Sequence, residues 1–184
     1  MTDVAKLCQL YDEHGKPLAG LGGTKDDIFG KGMLHGAAHV WIWREKYGQR
    51  EVLLQKRAAA KRTWPNLYDI SAAGHIDIGE EPIEAATRET KEELNIDINP
   101  EELKLIDVLR AHLVAPDGSI ENEFRWVYHF KLIGDVTFKP REEELESVSW
   151  VTLDTFTKEC LTNKFVPQGK PYYDKVIAAI KSAA

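Results

Sequence analysis

The chain has 184 residues, with 30 Asp and Glu against 24 Lys and Arg, 43% hydrophobic residues and 9% aromatics. These figures fit one globular domain with a sizeable core, and the net charge of −6 excludes an extended nucleic-acid binder, which needs a basic face to displace counterions from phosphates. Two distant cysteines, Cys8 and Cys160, exclude a disulfide framework or a metal knuckle and read as reduced thiols. No run approaches eighteen apolar residues and Met1–Lys6 lacks an apolar leader, so no membrane partner is expected and the cytoplasm is the expected location.

Lys6–Tyr11, a turn at Asp12–Lys16 and a return through Leu18 read as a hairpin that flanks the core. Residues 1–30 are therefore expected to form a hairpin and linker beside a main domain at 31–184, with the hairpin as a candidate homodimer contact. Gly20–Gly36 is weakly patterned. His35–Trp43 and Val52–Gln55 read as strands joined by a turn at Lys46–Arg50, and His39, Trp41 and Trp43 read as packing residues. A basic loop, Lys56–Arg62, and a turn at Trp64-Pro65-Asn66 precede an extended stretch, Tyr68–Ile76. Pro82 suits a first helical position, so Pro82–Leu94 is predicted helical. Leu105–Leu113 and Glu121–Leu132 flank the Pro116-Asp117-Gly118 turn as two strands. In the second, Phe124, Trp126, Tyr128, Phe130 and Leu132 are predicted to face the core, and Glu121, Glu123, Arg125 and His129 to form a polar face. A short strand at Ser147–Val151 and helices at Leu153–Leu161 and Pro171–Ile180 complete the chain, implying a mixed sheet covered by helices.

The charge is unevenly distributed. Asp77–Leu103 holds ten acids and two bases, so this segment carries −8 and the remainder +2. At 3.6 residues per turn, Glu89, Glu92 and Glu93 fall on one face of the predicted helix. Such a cluster repels itself, and a hard divalent cation such as Mg²⁺ or Mn²⁺ reverses the sign of the interaction.

From Gly74 the chain runs Gly74, five residues, Glu80, seven residues, then Arg88-Glu89-Thr90-Lys91-Glu92-Glu93-Leu94-Asn95-Ile96. This resembles the Nudix box, a loop and helix that bind metal ions and diphosphate. Gly74, Glu80, Arg88, Glu89, Glu92 and Glu93 match its restrictive positions. Thr90 stands where an apolar residue is usual, and Asn95 stands where glycine is usual. The resemblance implies a Nudix-type α/β/α sandwich, with a mixed β-sheet between helices. It also implies Mg²⁺, or Mn²⁺, held by Glu89, Glu92, Glu93 and the Gly74 carbonyl, with Arg88 and Glu80 fixing the loop structurally.

A second resemblance, carried by Leu53-Leu54-Gln55-Lys56-Arg57, Lys61, Trp64-Pro65, Ser71-Ala72-Ala73-Gly74-His75 and Ile120-Glu121-Asn122-Glu123, is to the isopentenyl-diphosphate isomerase branch of this superfamily. It implies diphosphate contacts from Arg57 and Lys61 and a second metal site from His35, His75, Glu121 and Glu123. The plain reading of Glu121 and Glu123, two apart on a strand, is a solvated edge. That branch uses a cysteine before its Gly-His pair and a tyrosine on the facing strand. Here Ala73 and Ala111 stand at those positions, and a methyl group moves no proton. The expectation is therefore a metal-dependent hydrolase of a small diphosphate substrate. Its base is expected to come from Glu89, or from Glu143 or Glu144 in the Arg141–Glu144 run. The alternatives are an isomerase-like enzyme and a non-catalytic diphosphate-binding module.

Overall fold

A computed structural model describes residues 6–139 and 144–184, so Glu143 lies outside the described residues. These residues form nine strands and four α-helices. The strands are β1 (Cys8–Tyr11), β2 (Pro17–Gly23), β3 (His35–Lys46), β4 (Gln49–Arg57), β5 (Tyr68–Asp69), β6 (Ala72–His75), β7 (Lys104–Val114), β8 (Ile120–Lys131) and β9 (Leu145–Thr152). The helices are α1 (Lys25–Lys31), α2 (Pro82–Leu94), α3 (Leu153–Glu159) and α4 (Lys170–Ser182).

β3 organises the sheet. It pairs in parallel with β8 along one edge, and antiparallel with β6 and then β4 along the other. β7 extends the sheet beyond β8, and β9 and β5 extend it beyond β4. Both faces are covered. α2 packs Ala85, Ala86 and Leu94 against Ala38, Val40, Ile42 and Leu53 on one face. α3 and α4 pack Phe156, Tyr173, Val176 and Ile180 against Trp41, Trp43, Val52 and Leu54 on the other. That double covering explains why β3 is a continuous apolar run without alternation. The architecture is the expected α/β/α sandwich around a mixed sheet.

α2 spans the predicted residues. Pro82 occupies its first turn, Glu81 and Glu84 form a capping box, and Asn95 closes it at φ 59°. Thr90 is buried with its hydroxyl donated to Ala86 O at 2.8 Å, so the departure from an apolar residue is satisfied within the helix.

Three expectations are corrected. The weakly patterned stretch contains the end of β2 and all of α1, whose Thr24 caps the helix and whose buried Ile28 packs on Cys8 and Leu10. Lys56 and Arg57 belong to β4 and not to a loop. In β8 the face read as polar is buried: Glu121, Glu123 and Arg125 are 9, 6 and 2% exposed, while Phe124 and Trp126 are only partly covered. Alternation marked the two faces correctly, but covering both sides of a sheet buries its charges as well, provided that they pair.

Candidate active site

Two carboxylate-bearing regions meet around β6. Among the described residues β6 pairs with a strand, β3, on one side only, and its other edge meets side chains of α2. Along a strand, alternate residues turn their backbone groups to opposite edges. The Ala73 N–H points outward and donates to Glu93 Oε2 at 3.2 Å, and the His75 carbonyl accepts from Arg88 Nη2 at 2.9 Å. Gly74 lies between them with its backbone groups toward β3. Its contribution is the absence of a side chain, since a Cβ there would sit 2.0 Å from Glu89 Cδ.

Arg88 ties the loop before α2 to the helix. Arg88 Nε and Nη2 donate to the two oxygens of Glu80 at 2.7 and 2.8 Å, and Glu80 also accepts from the Asp77 N–H at 2.9 Å. Burial would raise the Glu80 carboxyl, but Arg88 and that backbone donor hold it below its ordinary value. Arg88 Nη1 donates to Glu89 at 2.6 Å.

The box glutamates are not equivalent. Glu93 is 4% exposed, and burial first, then Glu89 and Glu144, push its carboxyl well above the ordinary range. Glu89 is raised by burial too, against Arg88. Glu144 shares their field and accepts from Lys61 Nζ at 3.0 Å. Glu92, by contrast, is exposed and faces Lys6 and Arg88 at 3.7 and 3.8 Å. Glu89, Glu93 and Glu144 therefore form a cluster of carboxylates that raise one another, which suits divalent-metal ligation.

On the other face of the sheet lies a cavity of about 380 Å³, lined by residues from β3, β4, β6, β8, the loop after β4 and the segment before α4. His75 and Glu123 line it and meet His35 behind the wall, with ligand atoms within 4.8 Å of one another. His35 Nδ1 donates to the Met33 carbonyl at 2.8 Å, which turns Nε2 toward Glu123. Among the described residues its Nε2 is buried without a hydrogen bond, 3.3 Å from Glu123 Oε1. A ring nitrogen and a carboxylate oxygen this close, with no hydrogen bond between them, form an arrangement that a cation would satisfy. Burial, and then His35, lower His75 to about 3.

The other oxygen of Glu123 accepts from Arg125 Nε at 2.6 Å. Burial alone would raise this carboxyl, but Arg125 and then His35 hold it well below its ordinary range. Glu121 accepts from Trp64 Nε1 at 3.0 Å, and it is raised by burial and then by Glu123. Arg125 also donates to Gln168 Oε1, and Gln168 Nε2 donates to Asp69 at 3.3 Å.

Arg57 stands in the cavity wall with its donors engaged. It bonds the Thr63 and Trp64 carbonyls and Asp69 Oδ2, shaping the loop in which Trp64 and Asn66 adopt positive φ. Lys61 lines the cavity and reaches the box carboxylates through Glu144. Sequence reading missed His39, read as packing but lining the cavity, and Gln168, which lies in coil without a pattern. Arg125 was legible as a member of the β8 charged face.

The NUDIX domain model matches residues 33–176, and the chain belongs to that family. An isopentenyl-diphosphate Delta-isomerase 2 of Photorhabdus laumondii is 34% identical over 80% of this chain and 78% of its own. Nudix hydrolase 3 of Arabidopsis thaliana is 33% identical over 74% of this chain. The chain spans 18% of that Arabidopsis protein, and 65% of a similar Nudix hydrolase of Clostridium acetobutylicum. Among solved structures, a Nudix hydrolase of M. smegmatis, RenU, matches with a TM-score of 0.59 over 99% of both chains at 18% identity, a likeness of fold. No helix among the described residues is long and apolar enough to cross a membrane.

Proposed function

We propose that the chain is a divalent-metal-dependent hydrolase of a small-molecule diphosphate. The observation that carries this reading is the placement of the box carboxylates at the edge of β6, Glu93 on the Ala73 N–H and Glu89 against Gly74, with Glu144 close enough to share their field. Glu89 and Glu93 would hold Mg²⁺ or Mn²⁺, Glu92 would stand at the solvent side of the group, and the backbone ligand would be the outward-facing carbonyl of Ala73 in place of that of Gly74. When bound, the cation supplies Lewis-acid polarisation of phosphate oxygens and of a water. Arg88 and Glu80 hold the loop against the helix.

Lys61 spans the two regions and neutralises charge on the diphosphate, while Arg57 fixes the loop that presents Lys61 and contributes field more than direct contacts. Glu144, which Lys61 holds beside the metal-ligating pair Glu89 and Glu93, takes the proton of the attacking water. In this reading residues 31–184 form the catalytic domain and 1–30 the appended hairpin and linker, whose β2 edge is the proposed homodimer contact, in a cytoplasmic protein.

The isomerase-like reading has one observation in its favour, the His35, His75 and Glu123 group, which suits a second metal. Against it stands Ala73, which offers no proton donor beside that group. Mg²⁺-dependent release of phosphate or monophosphate from a panel of nucleoside, sugar and isoprenoid diphosphates tests both readings. Hydrolysis is expected, with Glu144→Gln about 10²- to 10⁴-fold slower at unchanged KM. Proton exchange into isopentenyl diphosphate in labelled water, without hydrolysis of any panel member, would replace the hydrolase with the isomerase.

A further inference from the structure

His39 sits on β3 opposite Ala73 of β6, and both residues line the cavity. Its ring is fixed from behind. Trp41 Nε1 donates to the hydroxyl oxygen of Tyr172 at 3.0 Å, and that oxygen lies 2.8 Å from His39 Nδ1. Tyr172 is buried, and its hydroxyl proton has no other acceptor among the described residues. If Nδ1 also donated, two N–H groups would converge on one oxygen and leave the phenolic proton unpaired in the core, a costly arrangement. The hydroxyl therefore donates to Nδ1, and the neutral imidazole carries its proton on Nε2. Among the described residues Nε2 makes no hydrogen bond, and the small side chains of Ala37 and Ala73 leave cavity space around the ring.

We propose that His39 is a specificity-determining donor. Through Nε2–H it reads a hydrogen-bond acceptor on the organic part of the diphosphate substrate, with Tyr172 as the positioning residue that fixes its tautomer. This inference rests on the diphosphate-site reading above and names the chemistry of the group that enters the cavity. The rest of the floor agrees. Arg125, Gln168 and Asp69 form a connected polar surface beside His39, with Glu123 beyond it. A hydrocarbon entering there would strip water from Nε2–H and return no acceptor, whereas a carbonyl, ring nitrogen or hydroxyl would replace that water. The selected substrate therefore carries an acceptor-bearing group, and an isoprenoid tail is disfavoured.

Equilibrium binding by calorimetry on the intact protein, with Ca²⁺ in place of Mg²⁺, tests the proposal with two sets of probes. ADP-ribose, UDP-glucose and nucleoside diphosphates bear acceptors; isopentenyl and geranyl diphosphates do not beyond the phosphates. At least one acceptor-bearing probe is expected to bind about tenfold or more tightly than either isoprenoid probe. His39→Phe should weaken that probe by about 10- to 100-fold and leave the isoprenoid probes within about twofold. His39→Gln, whose amide can donate, should recover part of the loss. Tyr172→Phe, which keeps the ring but frees the tautomer, should weaken the same probe by about two- to fivefold, a selective effect that packing loss alone would not produce. If His39→Phe fails to fold by its thermal melt, Tyr172→Phe and His39→Gln carry the test.

Isoprenoid probes binding as tightly as every acceptor-bearing one, or variants weakening both sets equally, would overturn the proposal. Absence of Mg²⁺-dependent turnover of every diphosphate would count against the hydrolase reading instead, and the binding ratios would still decide the role of His39.

Discussion

Glu93 and Glu123 are both buried carboxylates that lie beside the same strand, β6, one bonded to Ala73 and the other near His75, and their surroundings treat them in opposite ways. Glu123 has Arg125 at 2.6 Å, and its proton is held off well below the ordinary range. Among the described residues Glu93 has only the Ala73 N–H as a hydrogen-bond donor; it shares its field with Glu89 and Glu144 and is pushed well above that range. The cavity face supplies its own counter-charge from the chain, while the box edge leaves the deficit open. A buried charge without a partner is costly, so a fold that keeps Glu93 ready for an outside cation sacrifices stability at that position.

The largest effect should come from closing that deficit. Glu93→Gln is expected to lower Mg²⁺-dependent turnover about 10³-fold, the loss of several kcal/mol of transition-state stabilisation. Stability should move the other way. Because the Glu93 carboxyl titrates higher in the folded than in the unfolded chain, the folded state binds its proton more tightly. Stability is then greatest below the ordinary carboxyl value of 4.5 and falls as pH rises through the folded value. In metal-free buffer at pH 7 the variant should melt above the wild type, by about 2–4 °C for each kcal/mol recovered. The gap should close as pH falls toward 4.5, and Mg²⁺ should raise the wild type selectively. Glu123 has the opposite sign: its depressed carboxyl adds stability above the ordinary value that is lost on acidification. Identical melting of Glu93→Gln and wild type at every pH, with the same response to Mg²⁺, would erase the contrast between the two regions.

The same contrast governs what the sequence reveals. The box lies within 74–93, where a helix of known period places Glu89 and Glu93 one turn apart, so composition and spacing expose it without knowledge of the sheet. The cavity is assembled from positions as distant as His39 and Tyr172, and no local periodicity connects them. Glu121, Glu123 and Arg125 showed their common face by alternation, but not that α4 and the loop after β4 would cover it. Gln168 sits in an irregular segment, where residue identity has no geometric context until the chain is folded. Glu92 shows the limit of the helical wheel. It shares an approximate face with Glu89 and Glu93, yet it turns to solvent and Lys6 because the sheet edge meets the helix along a narrower stripe.

Gly74→Ala perturbs the box edge by shape alone. The new methyl would lie 2.0 Å from Glu89 Cδ and 2.1 Å from Oε1, closer than any packing permits, so Glu89 must leave its place against β6. Overpacking of this kind costs about 1–3 kcal/mol. The expected signature is a lower melting temperature together with weaker Mg²⁺ binding by calorimetry, because the displaced group is a metal ligand in the proposed site. A lower melt with unchanged Mg²⁺ affinity would remove Glu89 from the ligand set and leave the edge to Glu93 and Glu144.

Asn95→Gly should have the smallest effect and the sharpest separation of fold from site. Asn95 closes α2 at φ 59° and ψ 37°, with its N–H donated to Lys91 O at 3.0 Å. Glycine adopts that left-handed conformation without the Cβ clash, but it loses more backbone entropy on folding, so the two contributions largely cancel. The net expectation is a gain of about 0.5 kcal/mol, near 1–2 °C in the melt. Asn95→Ala, with a Cβ and no side-chain oxygen to favour the left-handed region, should lose about 1 kcal/mol. Neither change reaches Glu89 or Glu93, which lie on turns already fixed by Ala86, Thr90 and the sheet. Mg²⁺ affinity should therefore stay constant while stability moves in both directions. If it drifted with the melt instead, the position of the box glutamates would depend on the fraying of the helix end, and the edge of β6 would not by itself define the metal site.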